Sequence, residues 1–118
     1  MFGPRRITGR KIFRFFLTFA SFLCWPVYPQ VLISELCAFN DTVLADEDGD
    51  YPDWIELLNV GSDPIDLKGW YLSDNPDRLR KWQFPEVVLP AHGFLVVFCS
   101  GKNRTGDPRF LHTNFQLD

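Results

Sequence analysis

From Val31 onward, apolar and polar positions alternate in short runs, and no window sustains a helical period. In "DWIELLN" the alternation sets Trp54, Glu56 and Leu58 on one side of a strand and Ile55, Leu57 and Asn59 on the other. "VLISELCA" opens this region and "FLVVFCS" is its most apolar run. Between the runs stand "VGSDP", "DNPDR" and "PAHG", whose Gly, Pro, Asp and Ser residues predict turns. "IDLKGWYLS" reads as a strand pair or as one strand broken at Gly69, and "KWQFP" as a short strand stopped by Pro85. The closing "LHTNFQLD" predicts an edge strand with nothing to pair, and hence a chain that is a fragment. Evenly spaced short strands with such breakers predict an all-β sandwich or barrel over residues 31–118.

The start of the chain follows another pattern. Five of the twelve lysines and arginines (Arg5, Arg6, Arg10, Lys11 and Arg14) precede Phe15, and no acid does. The rest therefore carries seven basic against fifteen acidic groups, −8, although the whole chain is −3. The basic stretch leads into "FFLTFASFLCW", Phe15 to Trp25, an apolar run with no polar face. Its length suits the core of an export signal and falls short of a comfortable bilayer span. Residues 1–29 are read as a signal peptide or, because Trp25 to Tyr28 offer no small-x-small cleavage site, an uncleaved signal anchor. The expected location is exported: extracellular, periplasmic or membrane-anchored, with the membrane touched through this segment alone.

The densest candidate chemistry is "TVLADEDGDYPDWIELLN". Asp46, Asp48 and Asp50 alternate as Ca²⁺ ligands do, with Gly49 permitting a tight turn, and are the candidate metal site. An EF-hand register fails, since counting from Asp46 puts Tyr51 at the glycine position and Leu57 at the bidentate glutamate. The competing reading, taken as the expectation, is a connector whose acids stay in water.

Other residues offer less. Cys37 and Cys99 lie at strand ends and, in an oxidising compartment, are either a candidate disulfide or two small buried hydrophobes. Paired-carboxylate catalysis needs acids on two facing walls, which the acidic loop does not offer; Glu35 and Glu56, both within strands, are the better positioned pair, and a structural role is the expectation for them. His92 falls in a turn and His112 in the last strand, with no metal-ligand or nucleophile motif around either. Ser100-Gly101 follows a strand with no base near it in sequence. "RLRK" and "GKNR" are local basic clusters, but the acidic balance of the domain opposes a nucleic-acid partner.

The ordered set "ISELCA", "DEDGDYPDWIELLN", "DLKGWYLSDNPD", "KWQFP", "LPAHGFLVVFCSGKNR" and "LHTNFQL" resembles the lamin tail domain, in the form found in exported bacterial proteins. The resemblance runs from about Val31 to Asp118 and implies an immunoglobulin-like β-sandwich, truncated at its C-terminal strands because the family pattern continues past "HTNF". Cys37 and Cys99 depart from it, standing where Met-like and Ala-like residues are usual, as does His92 where Gly is common. By resemblance the chain is a non-catalytic binding or scaffolding module with a protein or cell-surface partner and no cofactor. The alternative is an accessory domain of a larger exported enzyme, spore-coat kinase-like or a hydrolase or nuclease.

Overall fold

Alternation in the Trp54–Asn59 run builds a strand with two unlike faces, and the rest of the molecule is arranged about it. A computed structural model describes residues 16–18 and 29–117 of the chain. The described strands are β1 (Phe16–Thr18), β2 (Val31–Cys37), β3 (Trp54–Asn59), β4 (Ile65–Asp66), β5 (Tyr71–Ser73), β6 (Trp82–Gln83), β7 (Val88–Leu89), β8 (Phe94–Phe98) and β9 (Leu111–His112), with no helix among the described residues. They form a four-stranded sheet ordered β2-β3-β8-β9, a three-stranded sheet β1-β5-β6 and a pair β4-β7. The expected export signal, residues 1–29, lies outside the described residues except for Pro29 and Phe16–Thr18, which pairs antiparallel with Tyr71–Ser73.

The large sheet turns Ile55, Leu57, Val97 and Leu111 inward, and none of the four is exposed to solvent. Leu67, Leu72, Trp82, Phe84 and Leu89 meet them from the other strands and turns. Each such side chain contributes about 1.5–3 kcal/mol on leaving water, so this contact is what holds the sheets together. Asn59 is buried among them without cost in lost hydrogen bonds: its Nδ2 donates to the carbonyls of Asp63 (2.8 Å) and Leu89 (3.1 Å), and its Oδ1 accepts from the Gly61 amide (2.9 Å).

Two expectations resolve in particular ways. The run "IDLKGWYLS" is two strands in different sheets, separated by a turn in which Trp70 N–H bonds the Leu67 carbonyl at 2.9 Å. Gly69 has φ of +81° there, a conformation that costs a side-chain-bearing residue about 1–2 kcal/mol. The final strand does pair, contrary to expectation: Val97 faces Leu111 and Phe98 faces His112 in a parallel ladder. Strand pairing of this kind needs a long crossover, and the loop after Phe98 supplies it. His92, standing where the resemblance favoured glycine, has φ of 57°.

β2 is an edge strand whose pairing with β3 slips between Ile33 and Glu35. The extra residue, Ser34, turns its hydroxyl onto Glu56, donating to Oε1 at 2.7 Å. A bulge of this kind twists an edge and interrupts the hydrogen-bond template it would otherwise offer.

Candidate functional site: the clamped acidic loop

The loop between β2 and β3 is closed by Asn40, which is buried. Its Nδ2 donates to the carbonyls of Leu44 (2.6 Å) and Pro52 (2.8 Å), tying both arms, while Oδ1 accepts the amides of Val43 and Leu44, both at 3.1 Å. Inside it, Asp46 nucleates a tighter turn. Its Oδ1 accepts the amides of Asp48 (3.0 Å) and Asp50 (2.9 Å), and Gly49 takes φ of +80° to bring its own amide to the Asp46 carbonyl. The turn aims Asp46, Asp48 and Asp50 at one point, with carboxylate oxygens within 4.8 Å of one another.

Lys102 stands at that point. Its ammonium, which has three protons to donate, bonds Asp46 Oδ2 at 2.5 Å, Asp48 Oδ2 at 2.7 Å and Asp50 Oδ2 at 2.9 Å. Arg104 bridges the next pair, Nη1 donating to Glu47 Oε1 (2.9 Å) and Asp48 Oδ2 (2.7 Å). Glu47 Oε2 lies 2.8 Å from His112 Nε2, and His112 Nδ1 lies 2.8 Å from Ser100 Oγ. The His112 ring is wholly buried and stacks on Phe98, centroids 5.2 Å apart. The expectation that these acids remain in water is therefore corrected. Because β3 and β8 run antiparallel, the loop entering β3 and the loop leaving β8 emerge at the same end of the sheet, so the acids meet the cations of "GKNR".

The electrostatics follow from this pairing. Hydrogen bonds from Lys102 and then Arg104 hold the Asp48 carboxyl below its ordinary value of 3.8. Desolvation pushes Glu47 up, but hydrogen bonds from His112, its own backbone and Arg104 together outweigh it and leave it below 4.5. Desolvation likewise works against a charged Lys102, and the three aspartates overcome it, raising the ammonium above 10.5. Both signs of charge are therefore present across the neutral range, as an ion-paired clamp requires.

A model of the Lamin Tail Domain family matches residues 26–117. This chain belongs to the Lamin Tail Domain family. No curated protein and no solved structure matches it. The lamin tail domain is all-β and immunoglobulin-like, as its strand pattern predicts.

Ser100, His112 and Glu47 form a line of the kind that activates a nucleophile in hydrolases, but in this lamin tail domain its surroundings differ. The Lys102 amide donates to Ser100 Oγ at 3.1 Å, and the Gly101 amide is taken by the Phe115 carbonyl at 3.1 Å. The backbone donors that would hold an oxyanion beside Ser100 are thus already used. The line acts as a brace between β9 and the acidic loop. An open cleft of about 280 Å³ nearby is lined by Tyr51, Pro52, Asp53, Cys99, Gln116 and Leu117. Burial pushes the Cys99 thiol in that lining up to about 12, which disfavours the thiolate.

Cys37 and Cys99 are free thiols, so of the two sequence readings it is the disulfide that fails. Cys37 is opposite Trp54, which is opposite Phe98, so β3 separates the two cysteines by two strand spacings, about 9–10 Å. That exceeds the span of a disulfide, about 7 Å between Cα atoms. Cys99 also points into the core, away from the face that carries Trp54 and Phe98. Glu35 and Glu56, taken as a pair from the sequence, are directly opposite one another. Lys81 of "RLRK" pairs with Asp74 at 2.8 Å, and Arg80 lies 5.7 Å from the Tyr71 ring centre.

Sequence reasoning missed Lys102, Arg104, Ser100 and His112 as members of one cluster. A signal for the first two was present: four acids without a local cation, and a cation-rich loop one antiparallel strand away.

Proposed function

We propose that this lamin tail domain is a non-catalytic binding and scaffolding module of an exported or cell-envelope protein, working through a protein or surface partner. The observation that carries this reading is the contrast between satisfied chemistry and unsatisfied surface. The acids and cations of the candidate site are bonded to one another, whereas large apolar side chains on the same sheet remain in water, Phe94 at 60% and Leu32 at 41% exposure. Family membership supports the reading, and the basic-then-apolar start supports export. An accessory domain of a larger exported enzyme is the alternative, and reading the gene beyond Asp118 separates the two: a kinase-like or hydrolase region would favour it.

Export is tested by fusing residues 1–40 to a reporter active only outside the cytoplasm. Activity is expected, and an inactive fusion beside active cytoplasmic controls would sink the export reading. Pairing of Phe16–Thr18 with Tyr71–Ser73 favours a second reading, in which the segment is kept as a strand of the fold. The mass of the mature protein decides between removal and retention. Binding itself is tested by photo-crosslinking on intact cells from positions around the domain; a domain that links to nothing from any position would refute the module reading.

A further inference from the structure

The face of the large sheet that bears Trp54 and Phe98 continues past them, and among the described residues its other half is uncovered. Cross-strand register places Leu32 opposite Leu58 and Leu58 opposite Phe94 in one row. The next row sets Glu35 opposite Glu56 and Glu56 opposite Val96. Phe94 is 60% and Leu32 41% exposed, while Leu58 and Val96 are half-buried. Two carboxylates directly opposite one another repel. Among the described residues neither is ion-paired: Glu56 takes only the Ser34 hydroxyl and Glu35 takes no side-chain donor. The acids of the loop that enters this sheet have found cations, whereas this pair is negative charge without a cation in the middle of an apolar row.

We propose that this half-face is a docking surface for a basic, apolar protein segment, one that sets lysine or arginine over Glu35 and Glu56 and apolar side chains over Leu32, Leu58 and Phe94. This deepens the module reading above and rests on it. Charge complementarity selects the occupant. A cation between the two carboxylates relieves their repulsion, and the apolar flanks exclude water around the ion pair, which strengthens it. A second copy of the chain fits poorly, because an isologous contact over this face brings Glu35 and Glu56 against the same pair. The bulge at Ser34 also denies a partner the regular β2 ladder, so recognition runs through side chains on the face. An acidic or nucleic-acid partner would meet like charge.

The test uses the full chain and two capped seven-residue peptides, one alternating valine with lysine and one alternating valine with glutamate, followed by backbone amide shifts. The lysine peptide is expected to shift the amides of Leu32, Glu35, Glu56, Leu58, Phe94 and Val96 and leave those of Asp46 and His112 in place. The glutamate peptide should bind at least about tenfold more weakly. Glu35→Lys/Glu56→Lys should reverse the preference, and Glu35→Gln/Glu56→Gln should abolish it, both with otherwise unchanged spectra. Equal binding of the two peptides, shifts confined to another surface, or a dimer dispersed by Phe94→Lys would each overturn the proposal. Crosslinking on cells that captures a partner from a different face would refute this surface while leaving the module reading intact; no crosslink from any face would refute both.

Discussion

Phe94 and Phe98 lie four residues apart on one strand and on one face, yet Phe94 is 60% exposed and Phe98 3%. The sheet beneath them is continuous, so the difference comes from what lies above. Beside Phe98 the His112 ring stacks, tied by Glu47 to the acidic loop, and Trp54, Phe98 and His112 are all out of water on the side of the sheet away from the main core. Beside Phe94 nothing among the described residues does so. One face thus carries two solutions to the same problem. Paired charges border buried aromatic rings in one half, and in the other two unpaired carboxylates stand among apolar neighbours.

Truncating the buried ring should have the largest effect. Phe98→Ala is expected to cost about 3–5 kcal/mol, as truncations of buried phenylalanine do, measured by urea denaturation. A loss below about 1 kcal/mol would mean that Phe98 packs less closely than its burial indicates. Lys102→Met comes next. It leaves Asp46, whose side chain is fully buried, beside Asp48 and Asp50 with no ammonium between them. Removing one member of a buried pair costs about 3–5 kcal/mol, and here about 2–3 is expected because Lys102 keeps 21% of its side chain in water. In this variant, millimolar Ca²⁺ should raise the melting temperature, since three carboxylates then converge on a vacated cation position. The parent should respond less; a parent that responds as strongly would show that calcium binds with Lys102 in place.

Acid should come third. Glu47 and Asp48 are held below their ordinary values of 4.5 and 3.8, so the stability they confer is complete above those values and is lost as pH falls through the lower folded ones. Lys102 is raised above 10.5, so its share persists up to that pH and fades only above it. A plateau in melting temperature is expected between these limits, with a fall on acidification that is shallower in Glu47→Gln. Parallel curves for parent and variant would disconnect the clamp from acid stability. The smallest effect belongs to the uncovered half: Phe94→Ser should change stability by no more than about 0.5 kcal/mol. A larger loss would mean that Phe94 packs in the folded state more than its exposure indicates.

Alternation and breakers made most of the strands legible, though not Val88–Leu89, and parity grouped Ile55 with Leu57 without deciding which face turns inward. The placement of Gly69 as a break was also readable, because few other residues tolerate its backbone conformation. The clamp was not, for a reason of range. A local reading sees Asp46, Glu47, Asp48 and Asp50 repelling one another, and their cations come from residues that only strand order brings near. Ser100 and His112 failed in the same way: twelve positions separate them, and the parallel pairing of Leu111–His112 with β8, unusual in so small an antiparallel sheet, joins them. Register also decides the cysteines, since no count of thiols reveals that β3 intervenes.

The clamp has a further consequence for the order of events in folding. Lys102 and Asp46 are 56 positions apart, and His112 and Glu47 are 65. Closing loops of that length is entropically expensive before the intervening strands are in place. The ion pairs are therefore expected to form late, after β3 and β8 have found each other, so that Lys102→Met speeds unfolding and leaves the folding rate nearly unchanged in stopped-flow measurements. Interactions of this kind slow escape from the native state more than they speed arrival. On that expectation the lysine among three aspartates is a latch on a door already shut, setting how long the molecule stays folded and leaving the rate of its folding to the strands.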